Sequence, residues 1–158
     1  MNNIPMTAEG YAKLQNELNN FVNKQRPEII EAIAEARGHG DLSENAEYQF
    51  AKEQQSLIEG KILELEATIA LAEIIDVSQL TGDEIKFGAI VKIQNNEISE
   101  KFTYQIVGEY ESDIENKKLS IISPLARGLI GKKKNDVVEI KSPKGTKVYT
   151  VLSVKFQQ

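Results

Sequence analysis

Two carboxylates lie three residues apart in the stretch ARGHGDLSENAEY, residues 36–48, with Asp41 and Glu44 flanking Leu42 and Ser43. Mg²⁺ commonly takes one or two carboxylates from a protein and completes its shell with water and phosphate oxygens. Two acids are too few to hold such an ion tightly. The chemistry that fits is a metal site completed in trans, where a carboxylate is brought to an ion already held elsewhere. Arg37 and Lys52 flank the acids and supply the only positive charge near them. His39, the one histidine of the chain, reads as a turn residue more readily than as a proton carrier. A plainer reading competes with all of this. Asp41 fits an N-cap with Glu44 as its capping-box partner, and acids are common at the positive end of a helix.

The elements around this stretch read as two helices. Apolar residues at Tyr11, Leu14, Leu18, Val22, Ile29, Ile33 and Ala36 step by three or four through most of 7–37. Thr7 suits the N-cap, with Met6 and Tyr11 placed for a hydrophobic staple. Pro27 falls inside the run and is expected either to bend the helix or to split it. A second stripe, Phe50, Leu57, Ile58, Ile62, Leu65, Ile69 and Ala72, predicts a helix over about 43–75 with a heptad seam. Two such helices joined by a short turn predict a long antiparallel hairpin, roughly 45–50 Å from end to end, with the acids at its tip.

Beyond DVSQLTGDE the apolar period changes to two. Strands are predicted over 89–94, 101–110, 118–123, 136–141 and 147–156, with turns at 95–97 and 143–145. Residues 124–131, PLARGLIG, follow a serine, open on proline and end in glycine, the pattern of a short capped helix. The fold class is therefore α+β: a helical coiled-coil hairpin over 1–76 with its acidic tip at 38–47, a linker over 77–86, and a small, mostly antiparallel sheet domain over 87–158.

Charge divides along the same line. Residues 1–80 hold six Lys/Arg against fourteen Asp/Glu, and residues 81–158 hold thirteen against ten. A hairpin this acidic does not hold nucleic acid by phosphate attraction alone. There is no cysteine, which excludes disulfides and thiolate chemistry, suits the cytoplasm, and with a single histidine argues against zinc. No apolar run approaches the roughly 18 residues of a membrane span, and the N-terminus shows no secretory pattern. The run GKKK at 131–134 reads as a solvated charge cluster, with weak phosphate contact as the alternative.

Several separate motifs carry a likeness: IPMT.EG..KL..EL from Ile4, RPEIIEAIAEARGHGDLSENAEYQFAKEQQ through the tip, FGAIV.I from Phe87, and SPLARGLIGKKKNDVVEI from Ser123. In this order, and over nearly the whole chain, the sequence resembles the bacterial Gre-type transcript cleavage factors, the GreA branch best. The resemblance implies an FKBP-like second domain and a bacterial RNA polymerase as partner. It implies that the coiled coil enters the secondary channel of the polymerase. There the factor stimulates the polymerase's own cleavage of backtracked nascent RNA, so that it is a cofactor and not itself an enzyme. By this likeness Asp41 helps to hold a weakly bound Mg²⁺ shared with polymerase, with none bound stably by the factor alone. Glu44 orients or deprotonates the attacking water, and Ser43 assists. Arg37 and Lys52 match basic positions that face the extruded RNA. Ser123 and Pro124 belong to the surface that docks on the polymerase rim. No membrane and no small-molecule substrate are implied. Gly38 departs from the family, whose members often carry a larger residue there. The limited basic flank favours GreA over GreB, and with it the shortest cleavage products. Some relatives of the same fold bind the channel without cleaving, which leaves a non-cleaving regulator as the alternative. A peptidyl-prolyl isomerase is a third reading with no pocket residues to specify it, and a peptide isomerisation assay distinguishes it.

Overall fold

A computed structural model describes residues 3–40 and 45–157. The chain divides into two compact units. One comprises residues 11–72, and the other comprises residues 3–10 together with 73–157.

In the first unit the opening helix, α1 (Ala8–Asn20), passes through a π-helical turn at Phe21–Gln25 into α2 (Arg26–Arg37). Pro27 therefore neither stops nor splits the helix. Its ring clashes with the carbonyl four residues back in a regular α-turn. Widening the preceding turn relieves that conflict: the Arg26 amide donates to the Phe21 carbonyl, five residues back, and the backbone stays right-handed helical on both sides. Immediately after this turn Arg26 grips Glu59 on the facing helix, α3 (Ala46–Ala70), with Nε and Nη2 donating to the two carboxylate oxygens at 2.7 and 2.8 Å.

Chiefly through that hydrogen bond, the guanidinium holds the Glu59 carboxyl below its ordinary range, against a smaller desolvation effect. A carboxyl shifted this way contributes stability above the ordinary Glu range and loses it as pH falls through the folded value. The melting temperature of the native chain is therefore expected to fall more between neutral pH and about pH 3 than that of Glu59→Gln. Equal falls would remove the pair from the pH dependence.

The helices close on Ile33 and Ala36 from α2 and Ala51, Ile62, Leu65 and Thr68 from α3, all buried, with Leu14 of α1 buried as well. The seam expected at Ile58, Ile62, Leu65 and Ile69 faces inward, with Ile62 and Leu65 buried, and only the first part of the stripe is out of phase. Phe50 and Leu57 are 63% and 67% exposed, because Ala51 and Ile58 occupy the inward phase and a neighbour one residue away points about 100° off it. The helix also ends earlier than its apolar stripe. Ala72–Ile74 leave it as strand β2 and pair with β1 (Ile4–Met6), a strand the sequence did not announce. The Ile75 amide then donates to the Met6 carbonyl at 2.9 Å.

The second unit is built on five strands: β3 (Ile90–Asn95), β4 (Glu100–Val107), β5 (Lys118–Ser120), β6 (Val137–Ser142) and β7 (Gly145–Lys155), in the order β5-β4-β3-β7-β6. All pairs are antiparallel except β4 with β5. Both turn readings hold. The Asn95 side chain accepts from the amides of Glu97 and Ile98, and Gly145 takes φ +123°, which glycine tolerates, at the β6–β7 hairpin. One face of the sheet presents Val91, Ile93, Ile106, Leu119, Val138, Tyr149 and Val151 to the core, against the short helix α4 (Pro124–Leu129). Residues 77–86, expected as a linker, contain a 3₁₀ turn at Val77–Gln79 and contribute Ile85, fully buried in that core.

Candidate functional site at the hairpin turn

Asp41, Ser43 and Glu44 lie outside the described residues, and what the structure defines is the frame on either side of them. The frame is closed by Asn45. Its side-chain oxygen accepts from the Tyr48 amide at 3.0 Å and so caps α3, while its Nδ2 donates to the Ala36 carbonyl at the end of α2, at 2.6 Å. One residue thus satisfies an orphan donor at the start of α3 and adds a second partner to a carbonyl at the end of α2. The N-cap of α3 is Asn45 and not Asp41, so the capping-box reading does not describe how this helix starts. Asn-Ala-Glu ahead of an apolar run is itself a start signal, although Asp41 and Glu44 match the longer capping-box pattern.

On the α2 side, Gly38 and His39 continue the helical turn with amides donating to the Glu35 and Ala36 carbonyls. Gly38 stays in the ordinary helical region, and Gly40 takes φ +113°, where the chain leaves the helix. His39 Nδ1 lies 3.0 Å from Glu47 Oε2 in an exposed pair across the turn. This contact is not legible in the sequence, since Glu47 shows no spacing relation to His39 until the turn folds.

Arg37 and Lys52 come together. Both line one cleft of about 250 Å³ with Ile30, Ile33, Ala34 and Gln55. The Arg37 guanidinium lies over the Tyr48 ring, 5.9 Å from its centroid, and Lys52 donates to Gln55 Oε1 at 3.2 Å. Two cations on one wall of the hairpin beside an acidic turn can face the phosphates of a chain lying along that wall. The two carboxylates of the turn fit the usual protein share of an Mg²⁺ shell. Among the described residues no three His, Asp or Glu side chains gather as a metal site. No helix among them is long and apolar enough to cross a membrane.

Ser123 and Pro124 belong to the second unit. The Ser123 hydroxyl donates to the Ser120 carbonyl at 2.7 Å and accepts from the Ala126 amide at 3.2 Å, which makes it the N-cap of α4. Pro124 occupies the first helical position and is exposed, as are Ile122 before the helix and Ile130 at its C-terminal end.

Replacing Asn45 by alanine removes both bonds of the turn staple. The expected loss is about 1–2 kcal/mol in chemical denaturation. Asn45→Asp keeps the acceptor for Tyr48 but not the donor for Ala36, so it should lose less. A native midpoint for Asn45→Ala would exclude the staple.

A helical hairpin with a stapled acidic turn, paired with a curled and mostly antiparallel sheet domain, defines a two-part class of protein. Models of two protein families match the two parts: "Transcription elongation factor, N-terminal" over residues 4–74, and "Transcription elongation factor, GreA/GreB, C-term" over residues 80–156. The transcription elongation factor GreA of Cereibacter sphaeroides is 58% identical over 156 residues, 99% of each chain. That of Mesorhizobium japonicum is 54% identical over the same length and coverage. A solved structure of the transcription factor Gfh1 aligns at a TM-score of 0.47 and 24% identity, covering 98% of this chain and 99% of that one. The chain belongs to the GreA/GreB family of transcription elongation factors, on its GreA branch.

Proposed function

We propose that this elongation factor binds bacterial RNA polymerase, reaches the catalytic centre through the secondary channel with its hairpin turn, and stimulates hydrolysis of backtracked RNA. The observation that supports the reading is the frame on either side of Asp41 and Glu44: Asn45 ties the end of α2 to the start of α3, and Arg37 and Lys52 line one cleft of the hairpin. A catalytic pair needs such support, because a group displaced by about 1 Å loses much of its effect.

Asp41 would be this chain's ligand to an Mg²⁺ shared with the polymerase, an ion that supplies charge stabilisation at the reacting phosphate. Glu44 takes a proton from the attacking water at its carboxylate oxygen. Ser43, between them, orients that water through its hydroxyl. Arg37 and Lys52 hold the extruded RNA by its phosphates and so keep the scissile bond in register with the turn. Pro124, exposed at the start of α4, with Ile122 before the helix and Ile130 at its end also exposed, offers an apolar docking surface for the polymerase rim, and Ser123 caps the helix that carries it. The acidic charge of residues 1–80 favours entry into a basic channel.

The test is a backtracked elongation complex with 3′-labelled RNA, to which the purified protein is added with Mg²⁺. Release of short 3′ fragments and resumed extension are expected. Binding to polymerase with no change in RNA length would instead assign a non-cleaving regulator.

A further inference from the structure

The outer face of the five-stranded sheet, opposite its core, carries an ordered row of positive charge. Lys92 on β3 is paired with Thr103 on β4 and with Ser153 on β7. Two residues from Thr103, Lys101 pairs with Gln94; two residues from Ser153, Lys155 pairs with Ile90. Because β3 runs antiparallel to both neighbours, these offsets fall in opposite directions. Lys101, Lys92 and Lys155 therefore form one straight diagonal across three strands, with neighbouring Cα atoms about 8 Å apart from the strand spacing and rise. All three are exposed, and none makes an ion pair among the described residues. The outward positions of these three strands include no acid; among the described residues Glu139 on the edge strand β6 faces this side, and Glu9 lies against it beside Thr103, paired with Lys118 of β5 at 3.8 Å. A cleft of about 330 Å³ lies along the row, lined by Lys92 and Lys155 with Thr103, Ser153, Ile90 and Gln157.

We infer that this face binds the sugar–phosphate backbone of double-stranded nucleic acid. Lysines at regular intervals, interleaved with hydroxyl and amide groups, match a row of phosphates. A protein partner is the poorer match, because protein interfaces are depleted in Lys and anchored by Arg and aromatic side chains. The outward positions of these strands carry neither. Single-stranded nucleic acid is also a poorer match, since its binding relies on aromatic stacking platforms. Here the aromatic residues of β4, Phe102 and Tyr104, stack on each other on the core side of the sheet. The inference is independent of the cleavage reading, because it uses neither the hairpin turn nor the polymerase.

Fluorescence anisotropy of the full chain with a labelled DNA duplex of about 30 base pairs tests it. Three phosphate contacts predict a log–log salt slope of about −2.7, hence roughly 40-fold weaker binding at 200 mM than at 50 mM salt. K92Q/K101Q/K155Q should flatten that slope nearly to zero, whereas K92R/K101R/K155R should retain it. K132Q/K133Q/K134Q, with the same change of charge in a loop off this face, should leave it unchanged. Absence of duplex binding by the native chain at about 50 mM salt would overturn the inference, as would equal losses in the face and loop variants. Sedimentation under the same conditions covers the remaining occupant: self-association abolished by the face variant, with no duplex binding, would assign the row to the acidic hairpin of a second copy and overturn the inference.

Discussion

Alanine at Asp41 or at Glu44 is expected to lower factor-stimulated RNA cleavage by about 10²–10⁴-fold, the range that a positioned acid–base group supplies. The residual rate is then the polymerase's own. Asp41→Asn should lose nearly as much as Asp41→Ala, because it preserves size and hydrogen bonding but not the anionic oxygen a divalent ion requires. Neither substitution should weaken competition for polymerase binding, since the proposed docking surface lies at the start of α4 and includes neither carboxylate. Nor should either shift the melting temperature, because the cap of α3 is Asn45 and the buried seam begins at Ala51. This combination separates catalysis from folding and from binding. Native cleavage by both variants would remove the carboxylates from the mechanism while leaving the family assignment intact.

The second large effect is on stability. Glu111 accepts from the Thr7 amide at 2.9 Å, from the Thr7 hydroxyl at 2.6 Å and from the Gly108 amide at 2.8 Å. Thr7 Oγ1 in turn accepts from the Gly10 amide and so caps α1. One carboxylate thus joins the N-terminal segment to the end of β4 across 104 residues of sequence, within a single folded unit. Thr7 and Gly108 are buried, so removing the acceptor leaves their donors without water to replace it. Glu111→Ala should therefore cost about 3 kcal/mol in denaturant unfolding of the sheet unit. Glu111→Gln, which retains one acceptor oxygen, should fall between. Gly10→Ala should mimic part of the loss, since a Cβ there would overlap the Glu111 carboxylate. An unchanged unfolding midpoint for Glu111→Ala would show that the carboxylate contributes nothing to holding the N-terminal segment.

Much of the architecture was legible because it is local. Helical and strand periods are set by which faces of a segment meet water, and a segment carries that pattern wherever it is placed. Thus all five sheet strands, the caps at Thr7 and Ser123, and the turns at Asn95 and Gly145 follow from neighbours a few residues apart. The acidic turn between two helical runs was legible for the same reason. Local patterns are also where the errors arose. Phe50 and Leu57 satisfy a stripe one residue out of phase, and only contact with the facing helix selects Ala51. The π-helical turn before Pro27 was one of several ways to absorb the ring, and the Arg26–Glu59 pair opposite it is a property of two helices together.

The sequence by itself determined the two-part α+β plan, the uneven charge and the position of Asp41 and Glu44 between two helices. Tertiary structure decided which residues meet across distance. It pairs β1 with β2, brings Glu111 to Thr7, ties Ala36 to Asn45, and aligns Lys101, Lys92 and Lys155 into one diagonal. The physical reason is register. A strand's own pattern says which side faces the core, but the neighbour opposite each residue is fixed only when strands pair, and a shift of one would place those lysines on the other face.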